Sequence, residues 1–140
     1  MSFLLDTNVV SEWTRPRPDA GVLEWLGQAD EDLVFLSVVT LAELRHSVNR
    51  LAASKRRTRL DSWLKEALPL RFEGRILSVD QVVADACGAI VAERERLGRP
   101  IHAMDAMIAA TAQVHQLAVV SRNVDDFKPS VKAVNPWSES

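Results

Sequence analysis

Short apolar runs alternate with longer stretches of helical periodicity, and that alternation leaves few architectures open. Residues 2–5, 33–39, 76–79 and 118–121 read as strands, and residues 131–134 as a shorter fifth. The first two runs are nearly continuously apolar, as strands buried on both faces are. Strands interleaved with helices imply a parallel α/β sheet with helices on both faces. Such a sheet binds ligands in the crevice at the carboxyl ends of its strands.

The helical segments have clear signals. Arg15-Pro16-Arg17-Pro18 is a loop, because each proline disfavours helix in the residue before it. Residues 19–29 place Val22, Trp25 and Leu26 on one face. Thr40 is expected to open a helix to about residue 52, with Leu41, Leu44 and Val48 at helical spacing. The basic stretch 54–59 reads as a turn, and 60–68 as a helix stopped by Pro69. Asp80 is the expected N-cap of a helix over 81–97, with Val83, Ala86, Ile90 and Val91 inward. Gly98 and Pro100 end it. Residues 103–115 form the most apolar helix.

A chain of 140 residues with 47% hydrophobic content suits one domain over 1–140. The net charge of -2 carries no global signature of nucleic-acid binding, although basic patches are often local. Arg15/Arg17, Lys55 to Arg59 and Arg94/Arg96/Arg99 are such clusters, read first as solvated faces. The single cysteine, Cys87, excludes an internal disulfide and reads as a small core residue. The start of the chain lacks the basic and apolar regions of a signal peptide. No run approaches the roughly 20 apolar residues of a membrane span, so a soluble cytoplasmic protein is expected.

Four polar signals sit where these elements begin or end: Asp6, Glu43, Asp105 and the segment Asn123 to Asp126. Each has a bland reading. Asp6 could be a turn residue or an N-cap, and Glu43 could close a capping box with Thr40. Asp105 could complement its helix dipole, and Asn123 with Asp126 could form an Asx turn. Each also fits a site. Asp6-Thr7-Asn8 offers a carboxylate, a hydroxyl and an amide in succession, as an oxygen-ligand cation site requires. Asp105 lies among Met104, Met107, Ile108, Thr111 and Ala112, where a carboxylate needs a partner. Glu43-Leu44-Arg45-His46 has the Glu-x-x-His spacing of di-iron bundles, but those need two copies. His46, His102 and His115 share no spacing and read as surface or supporting residues. Two unit charges about 4 Å apart repel by roughly 4 kcal/mol at an effective dielectric near 20. Converging acids would therefore keep a proton or take up a cation.

The ordered set resembles the PIN-domain family, and within it the VapC-type and FitB-type toxins of bacterial toxin–antitoxin pairs. The resemblance rests on Leu5-Asp6-Thr7-Asn8-Val9-Val10-Ser11-Glu12, Leu36 to Arg45, the Asp105 helix, Ser121-Arg122-Asn123-x-x-Asp126-Phe127 and Asn135-Pro136-Trp137. It implies a five-stranded parallel sheet in the order 3-2-1-4-5. It implies metal-binding carboxylates at Asp6, Glu43 and Asp105, with a fourth position at Asn123. FitB-type toxins carry aspartate there; Asn123 is neutral and a weaker ligand, and Asp126 lies close enough to contribute. Thr7, Asn8 and Ser121 would support the acids.

The expected activity is a Mg²⁺-dependent endoribonuclease, with Mn²⁺ able to substitute, acting on RNA phosphodiesters and leaving 5′-phosphate and 3′-hydroxyl ends. The resemblance also implies a homodimer, and a higher hetero-oligomer with a small antitoxin whose C-terminal segment blocks the site. Two rivals differ in class. A phosphatase-like enzyme would use Asp6 as nucleophile, but Asn8 stands where such enzymes place a second aspartate. A catalytically silent module would bind RNA or antitoxin without cleavage.

Overall fold

The computed structural model describes residues 1–138. Five parallel strands form one sheet: β1 (Phe3–Leu5), β2 (Val34–Ser37), β3 (Ile76–Leu77), β4 (Ala118–Val120) and β5 (Ala133–Val134). Their order is β3-β2-β1-β4-β5, as expected. β1 is central, with Leu5 beside Val120 of β4 and Leu4 beside Phe35 of β2.

Both faces of the sheet are covered, and adjacent residues in a strand divide between them. Leu5, Leu36 and Val120 enter one core with Val9, Val22, Leu44 and Phe72. Leu4 and Val119 enter the other with Val83, Ile90, Ile108 and Phe127. Leu4 and Leu5 are both fully buried, which is why β1 has no polar alternation.

Helices supply the covering layers: α1 (Thr7–Ser11), α2 (Ala20–Gln28), α3 (Val38–Arg50), α4 (Lys55–Ser62), α5 (Leu68–Arg71), α6 (Gln81–Arg96), α7 (Ala103–His115) and α8 (Val124–Phe127). The Asp80 cap is as expected, its carboxylate accepting from Val83 N at 2.9 Å. Ala106, Ala109, Ala110 and Ala112 are fully buried and let α7 sit close to α6 and the sheet. Cys87 packs against this second core, and burial pushes its thiol up.

Three expectations are corrected. Thr40 does not open its helix. β2 ends at Ser37, whose Oγ accepts from Val39 N at 3.0 Å and caps α3 one turn earlier. Residues 54–59 are not a turn, because Ser54 caps α4 through Arg57 N. Pro69 does not stop the following helix. A π turn over Trp63–Ala67 precedes it, in which Leu68 N reaches back to Trp63 O, and the helical path continues through Pro69 to Arg71. The widened turn accommodates a residue that has no N–H and crowds the preceding turn.

Candidate active site

The sheet order reverses between β1 and β4, since the chain builds outward from β1 on one side and adds β4 and β5 on the other. Asp6 follows β1 at this switch point and Ser121 follows β4. The Asp6 backbone donates to Val120 O at 2.9 Å, so the carboxylate is fixed by the end of the sheet. Ser121 Oγ donates to Asp6 Oδ2 at 2.7 Å, and Thr7 N donates to Asp6 Oδ1 at 2.8 Å. Asp6 therefore is an N-cap, as its bland reading held, while also facing a cluster of acids.

Thr7 joins two of those acids. Its hydroxyl donates to Glu43 Oε1 at 2.6 Å and lies 3.2 Å from Thr40 Oγ1. Glu43 closes no capping box, because Ser37 holds the cap of α3. Asn8 Nδ2 donates to Ser121 Oγ at 3.4 Å, and Asn8 Oδ1 accepts from Arg122 N at the same distance. Asn123 N donates to Ser121 Oγ at 3.0 Å. The exposed Asn123 side chain does not cap α8, so the Asx-turn reading gains no support.

Electrostatics show the crowding. The Asp6 carboxyl is pushed from an ordinary 3.8 to about 6, mainly by burial, with Asp105 and Glu43 adding to the rise and the Ser121 and Thr7 bonds opposing it. Asp105 is also pushed up, first by burial and then by the charges of Asp126 and Glu43, against the pull of His102 and Arg94. Asp6 and Asp105 thus each feel the charge of Glu43, and Asp105 that of Asp126, although the four come from different parts of the chain. His46 is exposed, which leaves the di-iron reading without its second ligand type.

The donor set consists of hard oxygens, suited to Mg²⁺ or Mn²⁺ rather than to a soft metal. A buried carboxyl near 6 beside like charges is the electrostatic condition a cation relieves. Among the described residues, no three His, Cys, Asp or Glu groups are placed so that they could together hold a metal ion. The acids are thus near enough to act on one another's charge, but they are not assembled as a metal site.

Two contributing residues escaped sequence reasoning. Thr40 is fully buried beside Thr7. Arg94, read as part of a solvated basic face, is only 3% exposed. Its spacing four residues after the inward Ile90 was the available signal.

A parallel sheet in the order 3-2-1-4-5 with a carboxylate following its central strand defines a small α/β class. The PIN domain profile matches residues 3–129, and the chain belongs to the PIN-domain family. It is similar to Toxin FitB of Neisseria gonorrhoeae, with 40% identity over 97% of this chain and 99% of that one. It is 35% identical to VapC ribonuclease Y4jK of Sinorhizobium fredii over 96% of both chains. Among solved structures it resembles FitAB bound to an IR36 DNA fragment, with a TM-score of 0.93, 37% identity, and coverage of 99% of this chain and 97% of that one. The expected family membership and sheet order are both borne out.

Proposed function

We propose that this chain is a Mg²⁺- or Mn²⁺-dependent endoribonuclease, the toxin of a toxin–antitoxin pair, working in the bacterial cytoplasm. The observation that carries this reading is the buried Asp6 carboxyl, held by Ser121 and Thr7 and crowded by Asp105 and Glu43. The similarity to a relative named a VapC ribonuclease supports the reaction class. Among the described residues, no helix is long and apolar enough to cross a membrane.

Asp6 and Asp105 would hold the ion directly. Glu43, oriented by the Thr7 hydroxyl, would complete the shell or align the attacking water. Asn123 and Asp126 would hold water or a weak second ion. Bound there, the ion supplies Lewis acidity to water and offsets charge developing on the phosphoryl oxygens. Ser121, Thr7 and Asn8 keep the carboxylates aimed, as supporting hydrogen bonds do in metal sites. Arg122 is exposed at the same edge, 5.4 Å over the Trp137 ring, and provides a positive group for an RNA phosphate.

The partner is a small antitoxin, and the toxin pairs as a homodimer within a larger hetero-oligomer. A groove of about 600 Å³ supports an antitoxin contact. Leu44, Val48, Leu60 and Trp63 contribute apolar lining, with Arg15 and Arg56 also along it. An amphipathic segment with acidic side chains fits that lining. The groove shares α3 with the pocket, since Leu44 adjoins Glu43.

The test is incubation of the purified protein with total RNA, with Mg²⁺ or with chelator, beside Asp6→Asn. Cleavage that needs the ion and Asp6 and leaves 5′-phosphate ends is the expected result. Ion-independent cleavage, or a trapped phosphorylated Asp6, would overturn it.

A further inference from the structure

Glu12 is a buried carboxylate outside the acidic site, 4% exposed, where α1 ends. A buried charge is costly unless it is paired and hydrogen-bonded. Both of its oxygens are used. Oε1 accepts from Asp19 N at 2.9 Å, and Oε2 accepts from Arg15 Nε at 2.6 Å. The Arg15 side chain is otherwise 61% exposed. A guanidinium gripped at Nε keeps its Nη groups free to donate. Among the described residues no other carboxylate pairs with Arg15.

Arg15 lines the groove beside α3 together with Arg17 and Arg56, and among the described residues no Asp or Glu lines it. In a chain of net charge -2 this is a local concentration of positive charge. The groove is continuous with the acidic site. Ser11 of α1 and Ser47 of α3 line it, and they follow Thr7 and Glu43 by four residues each. About 6 Å of helix therefore separates the groove from the hydrogen bond between Thr7 and Glu43.

We propose that this groove holds single-stranded RNA on its way to the acids, and that Glu12 is a positioning residue that aims the Nη groups of Arg15 at an RNA phosphate. From the nuclease reading this takes only that the substrate is RNA. A phosphodiester brought to an acidic site is repelled by it, so affinity has to come from cations alongside. A planar guanidinium with fixed donors matches phosphate geometry, which an ammonium on a flexible stem does not. The apolar floor of Leu44, Val48 and Leu60, with Trp63 beside it, suits unstacked bases that a duplex would keep inside. When no antitoxin covers the groove, it lies open to substrate.

The test is fluorescence anisotropy of a labelled single-stranded oligoribonucleotide in chelator, over a range of salt, with wild type, Arg15→Ala, Arg15→Lys and Glu12→Gln. Arg15→Ala is expected to weaken binding and to lower the slope of log affinity against log salt by about 0.7, the loss of one phosphate contact to a single strand. Unchanged affinity there overturns the proposal, as does a wild type that binds no RNA. Arg15→Lys keeps the charge and loses the grip at Nε, so it is expected to stay weaker than wild type; full affinity would overturn the positioning. Glu12→Gln separates the two effects by sign. It removes a negative charge, so charge attraction alone gives tighter binding, whereas a released Arg15 gives weaker binding. Tighter or unchanged binding by folded Glu12→Gln overturns the role of Glu12. The Arg15 variants alter an exposed side chain and decide the phosphate contact whether or not Glu12→Gln folds. Poly-glutamate that binds through Arg15, beside RNA binding indifferent to Arg15, would assign the groove to an acidic polypeptide and overturn the proposal. Arg15-dependent RNA binding without Mg²⁺-dependent cleavage would sink the nuclease reading alone, whereas cleavage beside Arg15-independent binding sinks only this inference.

Discussion

Ser121 Oγ donates its one proton to Asp6 Oδ2 at 2.7 Å, across a separation of 115 positions in sequence. The same oxygen accepts from Asn123 N at 3.0 Å and Asn8 Nδ2 at 3.4 Å. One hydroxyl thus uses its full bonding capacity to tie the ends of β1 and β4 to the loop before α8.

Ser121→Ala leaves a buried carboxylate oxygen and a main-chain N–H without this partner. The expected loss of stability is about 1–3 kcal/mol, and chemical denaturation measures it. The Asp6 pKa should rise further, because the Ser121 bond is what most opposes the rise.

The pH dependence of the metal-free protein follows from Asp6. Its folded pKa, about 6, lies above the ordinary 3.8, so the folded chain binds more protons than the unfolded chain between those values. Stability therefore falls as pH rises through that window. Keeping Asp6 ionised at pH 7 costs about 3 kcal/mol. Asp105 is shifted in the same direction. In chelator, the melting temperature should be higher at pH 5 than at pH 7, and Asp6→Asn should flatten the difference. A wild-type melting temperature that climbs from pH 5 to pH 7 would count against the crowded pocket.

Asp105→Asn separates activity from stability. It removes one of the crowded charges and should raise the melting temperature of the metal-free protein. RNA cleavage should fall by at least about 100-fold, the scale seen when one group stabilising the transition state is removed. A destabilised variant with retained cleavage would show that Asp105 is a helix-end residue only.

Gly21→Ala probes the end of the chain. A Cβ there would collide with Ser138 N and Pro136 O, both main-chain atoms. The segment docks there because Ser138 bonds the Asp19 carboxylate through N at 2.9 Å and Oγ at 2.6 Å. Displacing it should cost about 1–3 kcal/mol, the range for overpacking, and shift Trp137 fluorescence. Unchanged emission would show that the tail does not dock as described.

The alternation of apolar runs with helical periods was enough to read the parallel sheet, the positions of all five strands and the cap at Asp80. Element ends were less legible. Ser37 and Thr40 are both competent caps, and only the length of β2 selects between them. Pro69 is a sound stop signal by local rules, but a π turn absorbs it. Arg94 reads as solvated within a run of charges, and only its partners on α8 and the α6–α7 loop reveal it as buried.

The sequence alone determined which residues could be acids in a site, because strand ends, caps and apolar neighbours are local properties of the chain. How near those acids come to one another depends on tertiary structure. Packing against two cores places β1 beside β4 and brings α3, α7 and α8 to the same edge. Burial and mutual charge then act on Asp6 and Asp105 through space, where separation along the chain has no influence.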